Sequence, residues 1–100
     1  MSKYKLTHKA VEDLTKIWDY TYDKWSEKQA DKHYQMLLET FQQIANEPNI
    51  GKKYEGIRDD LFGLKISRHI IFYRKLSNNP IIEITRILHE RMDLTNRIND

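Results

Sequence analysis

The chain contains no cysteine, which excludes a disulfide framework and any thiolate metal site and suits a reducing compartment. It also lacks a long apolar run: nothing approaches the roughly 20 apolar residues of a bilayer-spanning helix. The opening MSKYKLTHKA has neither the apolar core nor the small-residue cleavage site of an export signal. The cytoplasm is the expected location. Glycine and proline are scarce, at three and two residues, and there is no repeat, low-complexity tract or interdomain linker. One hundred residues then make a single domain, 1–100, whose core is small enough that apolar surface remains for a partner. A net charge of +2 is too small to mark a nucleic-acid binder.

The charge that is present is unevenly placed. Residues 1–64 carry ten Lys/Arg and eleven Asp/Glu, whereas residues 65–100 carry seven and four. The basic excess therefore falls on the last third, where SRHIIFYRKLSNNPIIEITRILHERMD, residues 67–93, crowds Arg68, His69, Arg74, Arg86, His89 and Arg91 among strand-forming residues.

Local patterns predict the elements. KYKLT alternates as a short strand. From His8 the spacing of Val11, Leu14, Trp18, Tyr22 and Trp25 predicts one stripe of a helix capped by Thr7. Ser26 to Gln29 reads as a capping box that starts a second helix with the stripe Ala30, Tyr34, Leu37, Leu38, Phe41, Ile44 and Ala45, which must stop before Pro48. A loop follows through Gly51 and Gly56. LFGLKIS, RHIIFYRKL and IIEITRILH then read as three strands, with SNNP as the turn between the last two, and a helical turn is expected after Asp93. The predicted fold is α+β in two layers: an N-terminal strand and a helical hairpin packed on a mainly antiparallel sheet in the order β-α-α-β-β-β, with the other sheet face open.

The segments YKLTHKAVEDLTKIWDY, QADKHYQMLLETFQQIANEPNIG, RHIIFYR and ITRILHERMD, in that order, resemble the ParE toxins of the RelE/ParE superfamily of bacterial toxin-antitoxin systems. The resemblance spans residues 4–98. It implies a small cytoplasmic bacterial toxin, neutralised by a cognate antitoxin, whose ParE-type relatives act on DNA gyrase. RelE-type relatives instead cut messenger RNA on the ribosome. Degenerate members bind the antitoxin without being toxic.

These alternatives assign the residues differently. If the chain is a gyrase inhibitor it has no catalytic residues, and Arg74, Arg86, His89, Arg91, Leu94, Arg97 and Ile98 are the expected target contacts. Arg74 and Arg86 are expected near each other across the last hairpin, and removal of residues 94–100 is expected to weaken target binding while sparing the antitoxin. If the chain is a ribonuclease, attack by a 2′-hydroxyl needs a proton acceptor, a proton donor and cations for the charged transition state; the resemblance to RelE-like ribonucleases then implies His69 in place of the third-strand arginine and Arg91 as the later arginine, with His89 as the expected base because an imidazole titrates near neutrality. No tyrosine follows the last strand to match the one RelE-like ribonucleases place near the C-terminus. A structural role is equally open to His69 and His89, bonded to a backbone carbonyl or to Glu90 or Asp93. Trp18, Tyr22, Trp25 and Tyr34 are the expected antitoxin contacts, although the spacing of the first three also fits core packing. Neither a metal nor a cofactor is expected, and direct nucleic-acid binding is expected only through the antitoxin complex.

Overall fold

The computed structural model describes residues 3–76 and 80–99. Its elements are β1 (Tyr4–Leu6), α1 (His8–Lys24), α2 (Glu27–Asn46), β2 (Lys52–Lys53), β3 (Phe62–Ile66), β4 (His69–Lys75), β5 (Ile82–His89) and α3 (Leu94–Asn99). They form the expected α+β arrangement, with a five-stranded sheet in the order β1-β5-β4-β3-β2. β1 runs parallel to β5 and the other pairings are antiparallel. The turn expected at SNNP falls largely outside the described residues.

Both helix starts obey their caps. The Thr7 side chain accepts from the Ala10 amide at 3.1 Å while its hydroxyl donates to the Thr85 carbonyl at 2.7 Å, so the residue that begins α1 also ties it to β5. The Ser26 side chain accepts from the Gln29 amide at 3.1 Å. α2 buries Ala30, Leu37, Phe41, Ile44 and Ala45 as its spacing predicts, and it ends at Asn46 with Glu47, the residue before Pro48, as its cap.

The stripe on α1 is a correction. Its buried residues are Ala10, Asp13 and Leu14, with Ile17 packed beside them, whereas Val11 and Tyr22 are each 49% exposed and Trp25 is 76% exposed. The inward face is thus centred about one residue earlier than the aromatic spacing implied. Periodicity counts apolar residues, and a buried carboxylate on the core face shifts that count.

A β-bulge corrects the last strand. Phe72 opposes Arg86 but Tyr73 opposes Ile84, leaving Thr85 as an extra residue whose hydroxyl donates to the Phe72 carbonyl at 3.1 Å. The extra residue flips the alternation: Ile82, Ile84 and Ile87 join the core beneath the helices, while Leu88 faces the other side. Arg86, opposite Phe72, therefore leaves the face on which unbroken alternation puts it.

The sheet face away from the helical hairpin is covered rather than open. Leu61, Ile70, Phe72 and Leu88 form a second buried cluster there, packed with Tyr54, Ile57, Leu94 and Ile98. Its lid is the 54–61 loop and α3. On the opposite side the Tyr73 hydroxyl, within the main core, donates to the Pro48 carbonyl at 2.7 Å and accepts from the Gly51 amide at 3.0 Å. A Cβ at Gly51 would stand 2.6 Å from that hydroxyl and 2.8 Å from the Gly63 carbonyl, so the loop reaches its anchor only because position 51 is glycine.

Candidate functional site

The β3–β4 hairpin turns through Ser67, held in the left-handed region at φ 55°, and so delivers His69 opposite His89. Two residues further on, Ile71 pairs with Ile87 beneath the helices, and by strand alternation His69 and His89 face the same side. α2 adds a third imidazole, since the His33 ring lies 5.7 Å from that of His69, which in turn lies 5.5 Å from that of His89 at 79°. The three rings help line an open cleft of about 1060 Å³ between the helical hairpin and the end of the sheet. α1 contributes Lys16, Ile17 and Tyr20 to the lining, with Trp25 from its C-cap; Arg68, Arg91 and Met92 also line it.

Charge in this cleft is one-sided. Asp13 lines it but is committed: its carboxylate accepts from Arg86 at 2.7 and 3.0 Å and from the Ile87 amide at 3.0 Å. Glu90 is paired with Lys65 at 2.8 Å, which together with hydrogen bonding lowers its pKa. Two of the imidazoles, His69 and His33, are pushed toward the neutral form. Burial, reinforced by the neighbouring His33 and His89 rings, pushes His69 down to about 4, and burial also lowers His33.

A pH dependence follows. A histidine whose folded pKa lies below its unfolded value of about 6.5 binds fewer protons when folded, so stability falls as pH drops through 6.5 and stops falling below about 4. Urea midpoints at pH 7 and pH 5 are expected to separate more for the wild type than for His69→Gln. Equal separations would show that His69 takes no part.

Several assigned residues do different work from that expected. His89 Nδ1 accepts the Arg91 amide at 3.1 Å and His69 Nδ1 is buried with no hydrogen-bond partner among the described residues, so among these neither nitrogen meets the carbonyl or carboxylate the sequence suggested. Asp93 instead accepts from the Asn96 amide at 3.3 Å and the Asn96 side chain at 2.7 Å, inside the last turn. Arg74 and Arg86 do line one small groove, but each has its own acid: Arg74 bonds Glu83 at 2.7 Å and approaches Asp60 at 3.6 Å, and Arg86 bonds Asp13. Arg86 is thus an internal tie between β5 and α1. Leu94 and Ile98 are half-buried against the second cluster, while Arg91 and Arg97 are exposed.

Among the aromatics, Tyr34 packs against the main core. Half-buried Trp18 donates to Asp31 at 3.2 Å and stacks on Tyr22 at 5.3 Å, leaving Tyr22 and Trp25 as surface. His33, Tyr20 and Lys16 were not singled out as site residues from sequence, and Arg68 was named only within the basic stretch 67–93. For His33 a signal existed: it lies three residues after Ala30 and four before Leu37, at the border of the buried stripe.

A family profile described as the ParE toxin of the type II toxin-antitoxin system parDE matches residues 4–94. The chain belongs to the ParE toxin family. Toxin ParE1 of Mycobacterium tuberculosis is 36% identical over 93 residues, covering 93% of this chain and 94% of that protein. Among solved structures, the chromosomal ParDE toxin-antitoxin system from P. aeruginosa superposes with a TM-score of 0.75 at 23% identity, covering 89% of this chain and 96% of that one. The toxin-antitoxin complex RelBE2 from Mycobacterium tuberculosis gives 0.68 at 19% identity over 88% and 96%. At those identities the two structures speak for a fold that ParE and RelE toxins share, while the family assignment rests on the profile and the ParE relatives. No helix among the described residues is long and apolar enough to cross a membrane, and no group of three His, Cys, Asp or Glu among them has the geometry to hold a metal ion.

Proposed function

We propose that this ParE-family toxin inhibits DNA gyrase by binding it, without bond-breaking chemistry of its own, and that a cognate antitoxin holds it inactive. The observation that carries this is the state of the histidines. A general acid must be protonated near neutral pH, and His69, pushed down to about 4, is almost wholly neutral there. It is also far too weak a base to match that task. His89 spends its Nδ1 lone pair on the Arg91 amide, so acting as a base at that nitrogen means giving up the bond. The cations fare similarly, since Arg74 and Arg86 are held in ion pairs.

One observation favours the ribonuclease reading: two imidazoles 5.5 Å apart beside the exposed Arg68 and Arg91. The two readings part in a paired assay, with purified toxin added to gyrase supercoiling reactions and to ribosomes translating a defined message. Inhibition of supercoiling with the message intact is expected. Cleavage of the message with supercoiling unaffected would replace gyrase with the ribosome, and silence in both assays with antitoxin binding retained would mark a degenerate member.

A further inference from the structure

The cleft presents donors and cations, while among the described residues the acids beside it, Asp13 and Glu90, are already bound to Arg86 and Lys65. Because His89 Nδ1 accepts the Arg91 amide, the neutral ring carries its proton on Nε2. His69 Nδ1 is buried with no hydrogen-bond partner among the described residues, and an unmet acceptor is tolerated inside proteins more readily than an unmet N–H, which assigns the His69 proton to Nε2 as well. Two imidazole N–H donors therefore stand on rings 5.5 Å apart at 79°. Around them the side chains of Lys16, Arg68 and Arg91 make no ion pair among the described residues, whereas Lys65, Arg74 and Arg86 each hold an acid.

The rim is also apolar in part. Trp25 is 76% exposed and Met92 42%, and both line the cleft. A ligand that satisfies this site brings a flat two-oxygen anion for the paired imidazoles, further negative charge for the rim, and an apolar residue to cover the exposed walls. Those are the properties of an acidic peptide segment bearing a hydrophobic anchor. A nucleic-acid strand fits less well, because such partners are held by cations tracking several phosphates and the floor here is neutral.

We propose that the cleft is a carboxylate-binding site for an acidic, apolar-flanked segment of the antitoxin, with the carboxylate bridging His69 and His89 and its docking drawing protons onto the three-histidine cluster. This rests on the reading of the chain as an antitoxin-bound toxin. The groups that face the cluster set the direction of the proton movement. His33 comes from α2, Lys16 and the committed Asp13 from α1, Arg68 from the hairpin turn, Arg91 from beyond β5, and Glu90 is tied to Lys65. Apart from the two committed acids these are cationic or become so on protonation, so an arriving carboxylate is the charge that lets the imidazoles protonate.

The test is calorimetric titration of the full-length toxin with its antitoxin at pH 6.5, in two buffers of different ionisation enthalpy, and repeated from pH 6.0 to 7.5. Net proton uptake is expected, with affinity roughly three- to tenfold tighter at the acid end. His69→Asn should abolish most of the uptake. Arg91→Glu, at an exposed position, should weaken binding roughly tenfold, more so at low salt, while leaving the uptake in place. Should His69→Asn fail to fold, the wild-type buffer dependence and Arg91→Glu decide the matter alone. Tight binding with no proton uptake, no pH dependence and no response to Arg91→Glu would overturn the carboxylate site while leaving the toxin-antitoxin reading intact. A folded toxin that does not bind the antitoxin would overturn both. A single-stranded RNA oligonucleotide that binds here and is released by Arg91→Glu would also overturn it, giving the cleft to nucleic acid.

Discussion

Asp13→Ala is expected to cost about 3–5 kcal/mol of folding stability, the usual penalty for stranding one partner of a buried ion pair. The side chains of Arg86 and Asp13 are 14% and 8% exposed, so water replaces little of what is lost. Three bonds disappear together: two from the Arg86 guanidinium and one from the Ile87 amide. The last matters because β1 pairs with β5 only as far as Ile84. Beyond that point the edge of β5 needs another acceptor, and α1 supplies it through Asp13. Asp13→Asn should lose less, since an amide oxygen still accepts from the Ile87 amide. The double variant Asp13→Ala with Arg86→Met should recover much of the loss, because no charge is then left unpaired. Urea unfolding of the three variants measures this; a loss below about 1 kcal/mol for Asp13→Ala would place the pair with ordinary surface ion pairs.

Removal of residues 94–100 is expected to destabilise the whole domain rather than to weaken target binding alone. Leu94 and Ile98 cover the second cluster beside Leu61, Phe72 and Leu88, and re-exposing that apolar surface costs about 2–4 kcal/mol. The Arg86 guanidinium also loses the Arg97 carbonyl, to which it donates at 2.6 Å. Gyrase inhibition and antitoxin affinity should therefore fall together, and the urea midpoint should fall with them. A truncated chain with unchanged midpoint, full antitoxin affinity and at least tenfold weaker gyrase inhibition would restore the tail as a target contact. Arg97→Glu separates the effects, since its side chain is exposed and the Arg86 bond uses its backbone.

The order of the longer elements, both helix caps and the α2 stripe were legible because they depend on neighbours in sequence: Thr7 and Ser26 reach amides three residues ahead, and Pro48 acts on the residue before it; the two-residue β2, Lys52–Lys53, fell inside what read as a loop, because only its pairing with β3 makes it a strand. The α1 face was misplaced because its core contact is a carboxylate whose partner, Arg86, lies 73 positions away. No local period encodes that pairing. The bulge at Thr85 had the same kind of consequence, moving Arg86 and Leu88 to the face opposite Ile82 and Ile84. At the site, His69 and His89 were visible as residues of interest within a basic stretch. Their meeting with His33 required the register of β4 on β5 and the passage of α2 overhead, both long-range facts.

On the proposed reading the toxin acts by occupying its target and not by proton transfer. Gyrase supercoiling inhibition by His89→Ala, compared with wild type at matched folded concentration, tests it most directly. A binding inhibitor loses at most one contact, so the potency of the variant is expected within a few fold of wild type; removal of a working general acid or base typically costs about 10²-fold or more, and a collapse of that size in a folded variant would contradict the account.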